Sequence, residues 1–335
     1  MSKFSPLSSK NGSGSGDLRR VLQVARVALG WNIFVVLFGS IVRISGSGAG
    51  CGQHWPTCNG EIAHLPRRLE TWVELTHRVT SGSAFLLVVA FTWLTVRRTP
   101  AGHRLRGAAY ASMFLMVLEA LIGAALVLFG LVAKDASQSR AVVMPAHLLV
   151  TFGLVAALTL AVRWSAADAA AQADAPSDSA VSHAWLVFAA LAIVVVALSG
   201  AVTALGDTLF PPAAASLAGR LHEDQGAGAH FLQRLRVLHP LLAISAAALV
   251  VYVAAPFVTA PRAAVRRASR AVLVFTAFQL TAGGLNVTLS APGWLQVVHL
   301  GLGLGLWIAF VSLAAELGVT SRTAADPRRL LADRS

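Results

Sequence analysis

Four histidines, His77, His147, His239 and His299, lie inside apolar segments of the chain. Each stands within the first two turns of alternate segments, so all four are expected at similar depth on the same side of a membrane. An ionisable residue inside a bilayer is costly and marks a candidate functional site. A single buried histidine more often makes a hydrogen bond between helices, but four matched positions favour ligation of a metal or cofactor.

Two imidazoles that approach from facing helices of a four-helix bundle suit a porphyrin iron, whose two axial positions take one nitrogen from each side. Small residues near these sites, in the stretches LIGAAL, LTAGGLN and HLGLGLG, would leave room for a flat macrocycle. Copper fits less well because no cysteine lies within an apolar segment, and zinc would lack its usual third protein ligand. The pattern therefore predicts one haem between His77 and His147 and another between His239 and His299.

The other six histidines lie outside these apolar positions. Their places favour ordinary solvated surface roles over ligation. They are His54, His64, His222 and His230 in predicted outer loops, and His103 and His183 near predicted inner loops.

The two predicted pairs have different neighbours. Glu74 precedes His77 by three residues and shares its helix face, whereas Arg236 takes the same position before His239. A carboxylate near iron chemistry can relay protons or stabilise a developing cation, and an arginine suits a haem propionate. The first pocket is therefore predicted to be reactive and the second to hold a fixed electron carrier. A solvated carboxylate at a helix start, favoured by the helix dipole, explains Glu74 about equally well.

Other polar residues near the predicted pockets leave two interpretations open. Arg43, Arg78 and Arg234, like Arg236, could bind propionates or simply reach the membrane surface. Glu119 could be a second polar group of the first pocket or a hydrogen bond between packed helices, and packing is slightly favoured.

The elements that would position these residues are apolar helices. The chain has 335 residues, of which 56% are hydrophobic and only 13% charged. Continuous apolar runs such as SAFLLVVAFTWL lack the alternation of barrel strands, so the fold class predicted is an all-α polytopic membrane protein with eight transmembrane helices. The predicted helices cover about 19–44, 73–96, 108–133, 141–163, 184–206, 236–258, 269–291 and 293–317.

The eight helices are predicted to form two tandem four-helix bundles related as a parallel pseudo-repeat. His77 and His239 are 162 residues apart, and LEALIGAALV resembles FQLTAGGLNV, which sets Glu119 against Gln279 and Gly123 against Gly283. The predicted divisions are a disordered cytoplasmic tail at 1–18, an N-terminal half at 19–163 with the substrate site, a cytoplasmic linker at 164–183, a C-terminal half at 184–317 with the cofactor site, and a cytoplasmic tail at 318–335.

The formal net charge of +12 comes from basic residues that are scattered among loops and helix ends. Because they form no single patch, the charge argues against a nucleic-acid partner and for the positive-inside rule. With both termini in the cytoplasm, 18 of the 27 Lys and Arg residues fall on the inner side of a cell membrane. The histidine-bearing helix ends then face outwards. The polar, Gly/Ser-rich start predicts a flexible tail and not a cleaved signal peptide.

The two cysteines of the chain, Cys51 and Cys58, both lie in the predicted first outer loop, GAGCGQHWPTCNG. An extracytoplasmic position permits a disulfide, and the intervening glycine and proline make a tight loop feasible. Two unpaired thiols, or a metal site that includes His54, are the weaker alternatives.

Several of these motifs together resemble one known family, haem A synthase, the membrane enzyme that converts haem O to haem A for terminal oxidases. The similarity runs over all eight predicted helices. It is carried by VRISGSGAGCGQHWPTCNG, ELTHR, AHLLVTFGL, RLRVLHP and NVTLSAPGWLQVVHLGLGLGLW.

The resemblance implies oxidation of a porphyrin methyl group to a formyl group by successive hydroxylations. Glu74 would be the catalytic carboxylate, His77 and His147 would ligate the substrate haem O, and His239 and His299 would hold a haem b cofactor. Cys51 and Cys58 would match the family's loop disulfide, with no counterpart in the second half. Implied partners are membrane lipid, a haem O synthase that supplies substrate, and an electron donor.

Two other classes of protein remain open on the sequence. A di-haem electron-transfer subunit would also need two pairs of histidines, but it would not need Glu74. A transporter built from a repeat gives no reason for matched histidines and is disfavoured.

Overall fold

The computed structural model describes residues 11–62, 65–169, 181–214 and 216–318. Within these ranges the chain is helical, and the only bridge of β type joins Cys58 to Glu61. The α-helices are α1 (Asn11–Ile44), α2 (Leu69–Arg98), α3 (Arg104–Leu128), α4 (Gln138–Ala169), α5 (His183–Leu209), α6 (Leu217–Gln225), α7 (Phe231–Arg234), α8 (Leu238–Ala254), α9 (Ala263–Thr288) and α10 (Gly293–Glu316).

Eight helical segments in the described part of the chain are long and apolar enough to cross a membrane. They correspond to α1 to α5, to the continuous run Phe231–Phe257 that contains α7 and α8, and to α9 and α10. A helix satisfies its backbone hydrogen bonds internally, which a lipid environment requires. The predicted all-α polytopic membrane protein with eight spanning helices is therefore confirmed.

Some helix ends differ from the predicted ones. Helix α1 begins at Asn11, within the segment predicted as a tail, and α4 continues to Ala169, within the predicted linker. Extending an existing helix by one residue is far easier than nucleating a new one, so glycines in 11–16 and alanines in 166–169 continue the apolar spans. The rest of the predicted tails and linker, 1–10, 170–180 and 319–335, lies outside the described residues.

The helices pack in two groups. In the first, α1 contacts α2 and α4, and α3 contacts α2 and α4. In the second, α5 and α9 each contact both α8 and α10. The groups meet where α4 packs against α5 and α10, and α1 against α10. A repeat relationship between the two groups stays a prediction.

Direct bonds also join the two groups. Trp307 of α10 donates from Nε1 to the carbonyl oxygen of Phe152 in α4 at 2.8 Å, and the two rings lie 5.5 Å apart. Near the other end of the spans, Arg43 of α1 donates to the Ala204 carbonyl of α5 at 2.8 Å and to Gln296 Oε1 of α10 at 2.8 Å. The N-terminal half is therefore joined to the C-terminal half near both ends of the membrane spans.

Candidate haem-binding sites

Each of the four predicted ligand histidines lies against a glycine of the preceding membrane span. A Cβ atom added at these glycines would stand 2.9 to 3.7 Å from the ring atom Cε1. A side chain at such a position would take up space that the ring now fills. The four pairs are Gly39 with His77, Gly123 with His147, Gly200 with His239 and Gly283 with His299. Gly123 and Gly283 belong to the stretches predicted to leave room for a macrocycle, whereas Gly39 and Gly200 lie outside them.

His239 and His299 face one another in the second half. Their ring centroids are 6.3 Å apart and the ring planes are nearly perpendicular, at 89°. A metal bonded to one nitrogen of each ring, at about 2 Å from each, would place the two centroids roughly 6 Å apart. The two rings therefore fit axial ligation of a haem iron from opposite sides.

Hydrogen bonds hold both of these rings. Ser199 Oγ lies 3.0 Å from His239 Nδ1, which leaves Nε2 of that ring for a ligand. Gln279 Nε2 lies 3.3 Å from His299 Nε2, and His299 Nδ1 is buried without a hydrogen-bond partner. A partner at Nδ1, such as Ser199, fixes the orientation and tautomer of a metal-binding histidine, whereas Gln279 lies beside Nε2 of its ring. Ser199 was not identified from the sequence, because one serine at the end of an apolar run gives no signal of its own.

His77 and His147 form the corresponding pair in the first half. The two side chains are close enough to interact electrostatically, and Nδ1 of each is buried without a hydrogen-bond partner. The His77 ring stacks on Phe38 of α1, with centroids 6.1 Å apart. A buried ring nitrogen without a partner is costly, so a ligand that uses the imidazoles would relieve this cost.

Glu74 is buried on α2, with only 3% of its surface exposed. Its Oε2 accepts a hydrogen bond from the Cys51 backbone N–H at 2.7 Å, and its Oε1 accepts from Arg78 Nε at 3.1 Å. Arg78 is also ion-paired with Glu74 through Nη2. The carboxylate is therefore held in one place and is not the solvated helix-start group that the sequence also allowed.

The loop that contacts Glu74 is closed by a disulfide and joined to α2 by hydrogen bonds. A disulfide joins Cys51 to Cys58, as predicted. Thr71 Oγ1 donates to the Gly50 carbonyl at 2.9 Å, and Arg78 Nη1 donates to the His54 carbonyl at 2.5 Å. A Cβ atom at Gly50 would lie 2.4 Å from the backbone oxygen of Glu70, so only glycine allows this close approach. We call residues 45–62 the disulfide loop.

In the second half, Arg236 occupies the position that Glu74 has in the first. Its guanidinium is buried and pairs with Asp207 of α5 at 2.9 Å and with Asp224 of α6 at 2.7 Å. It also donates to the backbone carbonyls of Gly206 and Phe210. Burial raises the pKa of the Asp224 carboxyl above its ordinary value, and the Arg236 charge acts in the opposite direction. Arg236 is thus engaged by protein groups.

Helix α6 covers the second half and was not predicted. Ser216 caps its start by accepting from the Gly219 N–H at 3.1 Å. Arg220 of α6 donates to the carbonyls of Val287 and Thr288 at the end of α9, at 2.6 and 3.2 Å. Carbonyls at a helix C-terminus lack partners within the helix, so a cation satisfies them well. With its Asp224 on Arg236, α6 is fastened at two points.

The remaining predicted arginines also bind protein acceptors. Arg43 reaches α5 and α10, as described above, and Arg78 binds Glu74 and the disulfide loop. Arg234 donates to the carbonyls of Gly226 and Ala227, at 3.4 and 3.2 Å. In this structure the four arginines therefore connect loops and helices to one another.

Glu119 lies beside a predicted ligand. Its Oε1 accepts from Thr151 Oγ1 at 2.5 Å, and its Oε2 lies 3.4 Å from His147 Nδ1. The second distance is that of an ion pair but is not aligned as a hydrogen bond, and neither atom has another partner. Glu119 is therefore both a packing group, as favoured from the sequence, and a polar neighbour of the first pocket.

Two of the six other histidines cap helices. His103 Nδ1 accepts from the Leu105 N–H at 3.2 Å, and His230 Nδ1 accepts from the Leu232 N–H at 3.3 Å. These two are half-buried, and the prediction that they are only solvated surface groups was wrong, because a histidine nitrogen can take the role of an N-cap acceptor. His54 and His222 are exposed, His183 is half-buried, and His64 lies outside the described residues.

Comparison with known proteins adds a family to this geometry. A family model described as "COX15-CtaA: Cytochrome oxidase assembly protein" matches residues 23–311. Two proteins named "Protoheme IX farnesyltransferase", from two strains of Thermus thermophilus, are each 45% identical over 287 residues, which is 85% of this chain and 46% of theirs. A protein named "Heme A synthase" from Bacillus cereus strain AH187 is 38% identical over 122 residues, covering 36% of this chain and 35% of that protein. The chain spans about half the length, or less, of these relatives.

Proposed function

Because the chain belongs to the COX15-CtaA family of cytochrome oxidase assembly proteins, we propose that it is a haem A synthase that oxidises a methyl group of haem O to a formyl group. The observation that carries this proposal is the buried and fixed carboxylate of Glu74 three residues before His77, where the second site has Arg236 before His239. Two equivalent sites would suit electron transfer alone. One site with an added acid or base suits chemistry on its own ligand.

Haem O as substrate would be held by His77 and His147. The glycines that contact both rings support this assignment. Glu74 would hold or accept a proton at its carboxylate as the methyl group is oxidised, and the Cys51 N–H and Arg78 would keep that carboxylate in position. Each hydroxylation would replace a C–H bond by a C–OH bond, with one oxygen atom from dioxygen, two electrons from an external donor and two protons, and would release one water. The doubly hydroxylated carbon would then lose water to give the formyl group.

Haem b would be held by His239 and His299. When bound it would supply one-electron transfer to the first site. Ser199 would fix the His239 ring through Nδ1 and leave its Nε2 for the iron, and perpendicular rings at 6.3 Å support axial ligation by both histidines.

The names of the Thermus proteins suggest a second candidate, transfer of a farnesyl group to protohaem. More than half of each Thermus protein lies outside the matched region, so the name of the whole need not describe the part that this chain matches. The family match and the Bacillus proteins named "Heme A synthase" favour the oxidation.

The membrane orientation proposed here places both termini in the cytoplasm of a cell. The disulfide loop and the four histidine-bearing helix ends would then face the outer side. The supporting observations are the distribution of Lys and Arg along the sequence and the disulfide, which oxidising compartments favour. Labelling of single cysteines introduced in loops with a membrane-impermeant reagent would test this orientation.

The activity is tested by producing the chain in cells that make haem O but no haem A, and by chromatography of the extracted haems. Haem A should accumulate with the wild type and not with Glu74→Gln, while both retain bound haem. A loaded chain that yields no haem A beside a working electron donor would refute the proposal. New haem O formed from protohaem would instead support farnesyl transfer.

The haem content of four separate His→Ala variants separates the sites. Loss of His239 or His299 should remove the resident haem b, whereas loss of His77 or His147 should mainly impair binding of haem O. A di-haem electron-transfer subunit would lose one resident haem in either case and would show no product with any variant.

A further inference from the structure

The two halves carry different groups beside the second ligand histidine of each pair. In the first half a carboxylate oxygen of Glu119 lies 3.4 Å from His147 Nδ1. In the second half an amide nitrogen of Gln279 lies 3.3 Å from His299 Nε2. Glu119 and Gln279 are 160 residues apart, and each lies four residues before a glycine, Gly123 or Gly283, that contacts the same ring. The two sites therefore share this position and differ in its charge.

The contact of Glu119 is directed at the imidazole. Thr151 Oγ1 donates to Oε1 of Glu119 at 2.5 Å, which leaves Oε2 beside His147. Among the described residues, neither this Oε2 nor His147 Nδ1 has a hydrogen-bond partner. A donor and an acceptor that are both buried and unsatisfied at 3.4 Å form a hydrogen bond after a small rotation of either side chain.

We propose that Glu119 is a positioning residue that accepts a hydrogen bond from the Nδ1–H group of His147. This bond gives the haem of the first site a lower reduction potential than it would otherwise have. This inference rests on the proposed haem-binding function. A carboxylate that accepts from Nδ1 fixes the tautomer, directs Nε2 towards the iron and makes the imidazole a stronger donor. A stronger donor favours the oxidised metal. Gln279 is neutral and lies beside Nε2 of His299 instead of Nδ1, so it supplies neither the charge nor the same contact.

A pair of reciprocal substitutions tests this role in the full-length, haem-loaded protein. Glu119→Gln keeps the size of the side chain and an oxygen that accepts from Thr151, but removes the charge. Gln279→Glu adds a carboxylate at the matching place in the second half. Spectroelectrochemical titration of both variants and of the wild type gives the midpoint potential of each haem.

We expect Glu119→Gln to raise one midpoint and Gln279→Glu to lower the other. Substitutions in the hydrogen-bonded surroundings of a metal ligand change metal affinity by about tenfold or more. A tenfold change in the ratio of affinities for the two oxidation states corresponds to about 59 mV for one electron. The absorption band of the first-site haem should shift with Glu119→Gln.

Thr151→Val is the control for a role in packing alone. If Glu119 only joins α3 to α4, Thr151→Val should lower the melting temperature while Glu119→Gln leaves both midpoints unmoved, and that result would overturn the inference. Movement of both midpoints by the same amount in either variant would also overturn it. A wild-type chain that binds no haem would refute the proposed function as well, so the two failures are distinguishable.

Discussion

The histidine-bearing ends of the two halves are held by different kinds of bond. In the first half the disulfide loop is closed by Cys51 and Cys58 and is fastened to α2 through Glu74 and Arg78. In the second half α6 is closed by no cysteine and is fastened through the buried ion pairs of Arg236 and through Arg220. A disulfide thus closes the loop in the first half, whereas buried ion pairs hold α6 in the second half.

One position has the same structural role in both halves but opposite charge. The residue three places before the first histidine of each pair is an acid in one half, Glu74, and a base in the other, Arg236. Both are buried, and both connect the start of their span to a neighbouring segment, the disulfide loop or α6. This position therefore anchors a segment in each half, and its charge is one of the differences between the two sites.

The largest effect is expected for Glu74→Gln compared with Arg78→Gln. Both substitutions disturb the same ion pair, but only the first removes the carboxylate. General acid or base catalysis contributes about 10² to 10⁴ in rate, so Glu74→Gln should reduce haem A formation by at least about a hundredfold. Arg78→Gln should cost much less, measured as haem A formed per bound haem. Equal losses in the two variants would assign Glu74 to anchoring alone.

A large loss of stability is expected for Arg236→Gln. The substitution leaves the buried carboxylates of Asp207 and Asp224 without a charged partner, and breaking a buried pair in this way costs about 3 to 5 kcal/mol. Thermal unfolding in detergent should show a marked fall in melting temperature. Arg234→Gln is the matched control, because Arg234 donates only to backbone carbonyls and its loss should cost little. Similar shifts in both would contradict the assignment of α6 to charge pairing.

A smaller effect is expected from opening the disulfide. Cross-linking a loop of this length lowers the conformational entropy of the unfolded chain and so stabilises the folded state by about 2 to 3 kcal/mol. Hydrogen exchange with and without a reductant should show faster exchange in the disulfide loop and no change in α6. A faster exchange of α6 under reductant would show that the disulfide loop and α6 do not open independently. A double substitution, Cys51→Ser with Cys58→Ser, should reproduce the reduced protein.

The smallest effect concerns the glycines behind the rings. A methyl group at Gly200 would lie 2.9 Å from His239, whereas one at Gly123 would lie 3.7 Å from His147. The first distance requires the ring to move away from Ser199, and the second is an ordinary contact. Gly200→Ala should therefore lower stability by about 1 kcal/mol and weaken haem retention, and Gly123→Ala should leave both nearly unchanged. Equal retention of haem in the two variants would contradict this difference.

Much of this architecture follows from local patterns. The spanning helices follow from continuous apolar runs, and the disulfide was foreseen because Cys51 and Cys58 are close in sequence and share one loop. The pairing of α3 with α4 beside Glu119 also matched the expected packing. In these cases the determining residues lie within one segment or in adjacent ones.

The missed features depend on contacts between distant parts of the chain. Helix α6 is short and polar, LAGRLHEDQ, and it gains its partners from Arg236, just before α8, and from α9. Arg236 could be read as a ligand for propionates because nothing local reveals that Asp207 and Asp224 approach it. The start of α1 was placed too late because glycines in isolation disfavour a helix that a long apolar span can extend.

The position of Arg43 bears on the order in which the protein is assembled. Its acceptors Ala204 and Gln296 follow it by 161 and 253 residues. During synthesis from the N-terminus, the guanidinium at the end of α1 can therefore form these bonds only after α5 and α10 have been made. Insertion of α10 brings Gln296 to Arg43 of α1 and allows the hydrogen bond between them to form. Arg43 therefore joins the two halves only after α10 is in place, which ties the assembly of the two halves together.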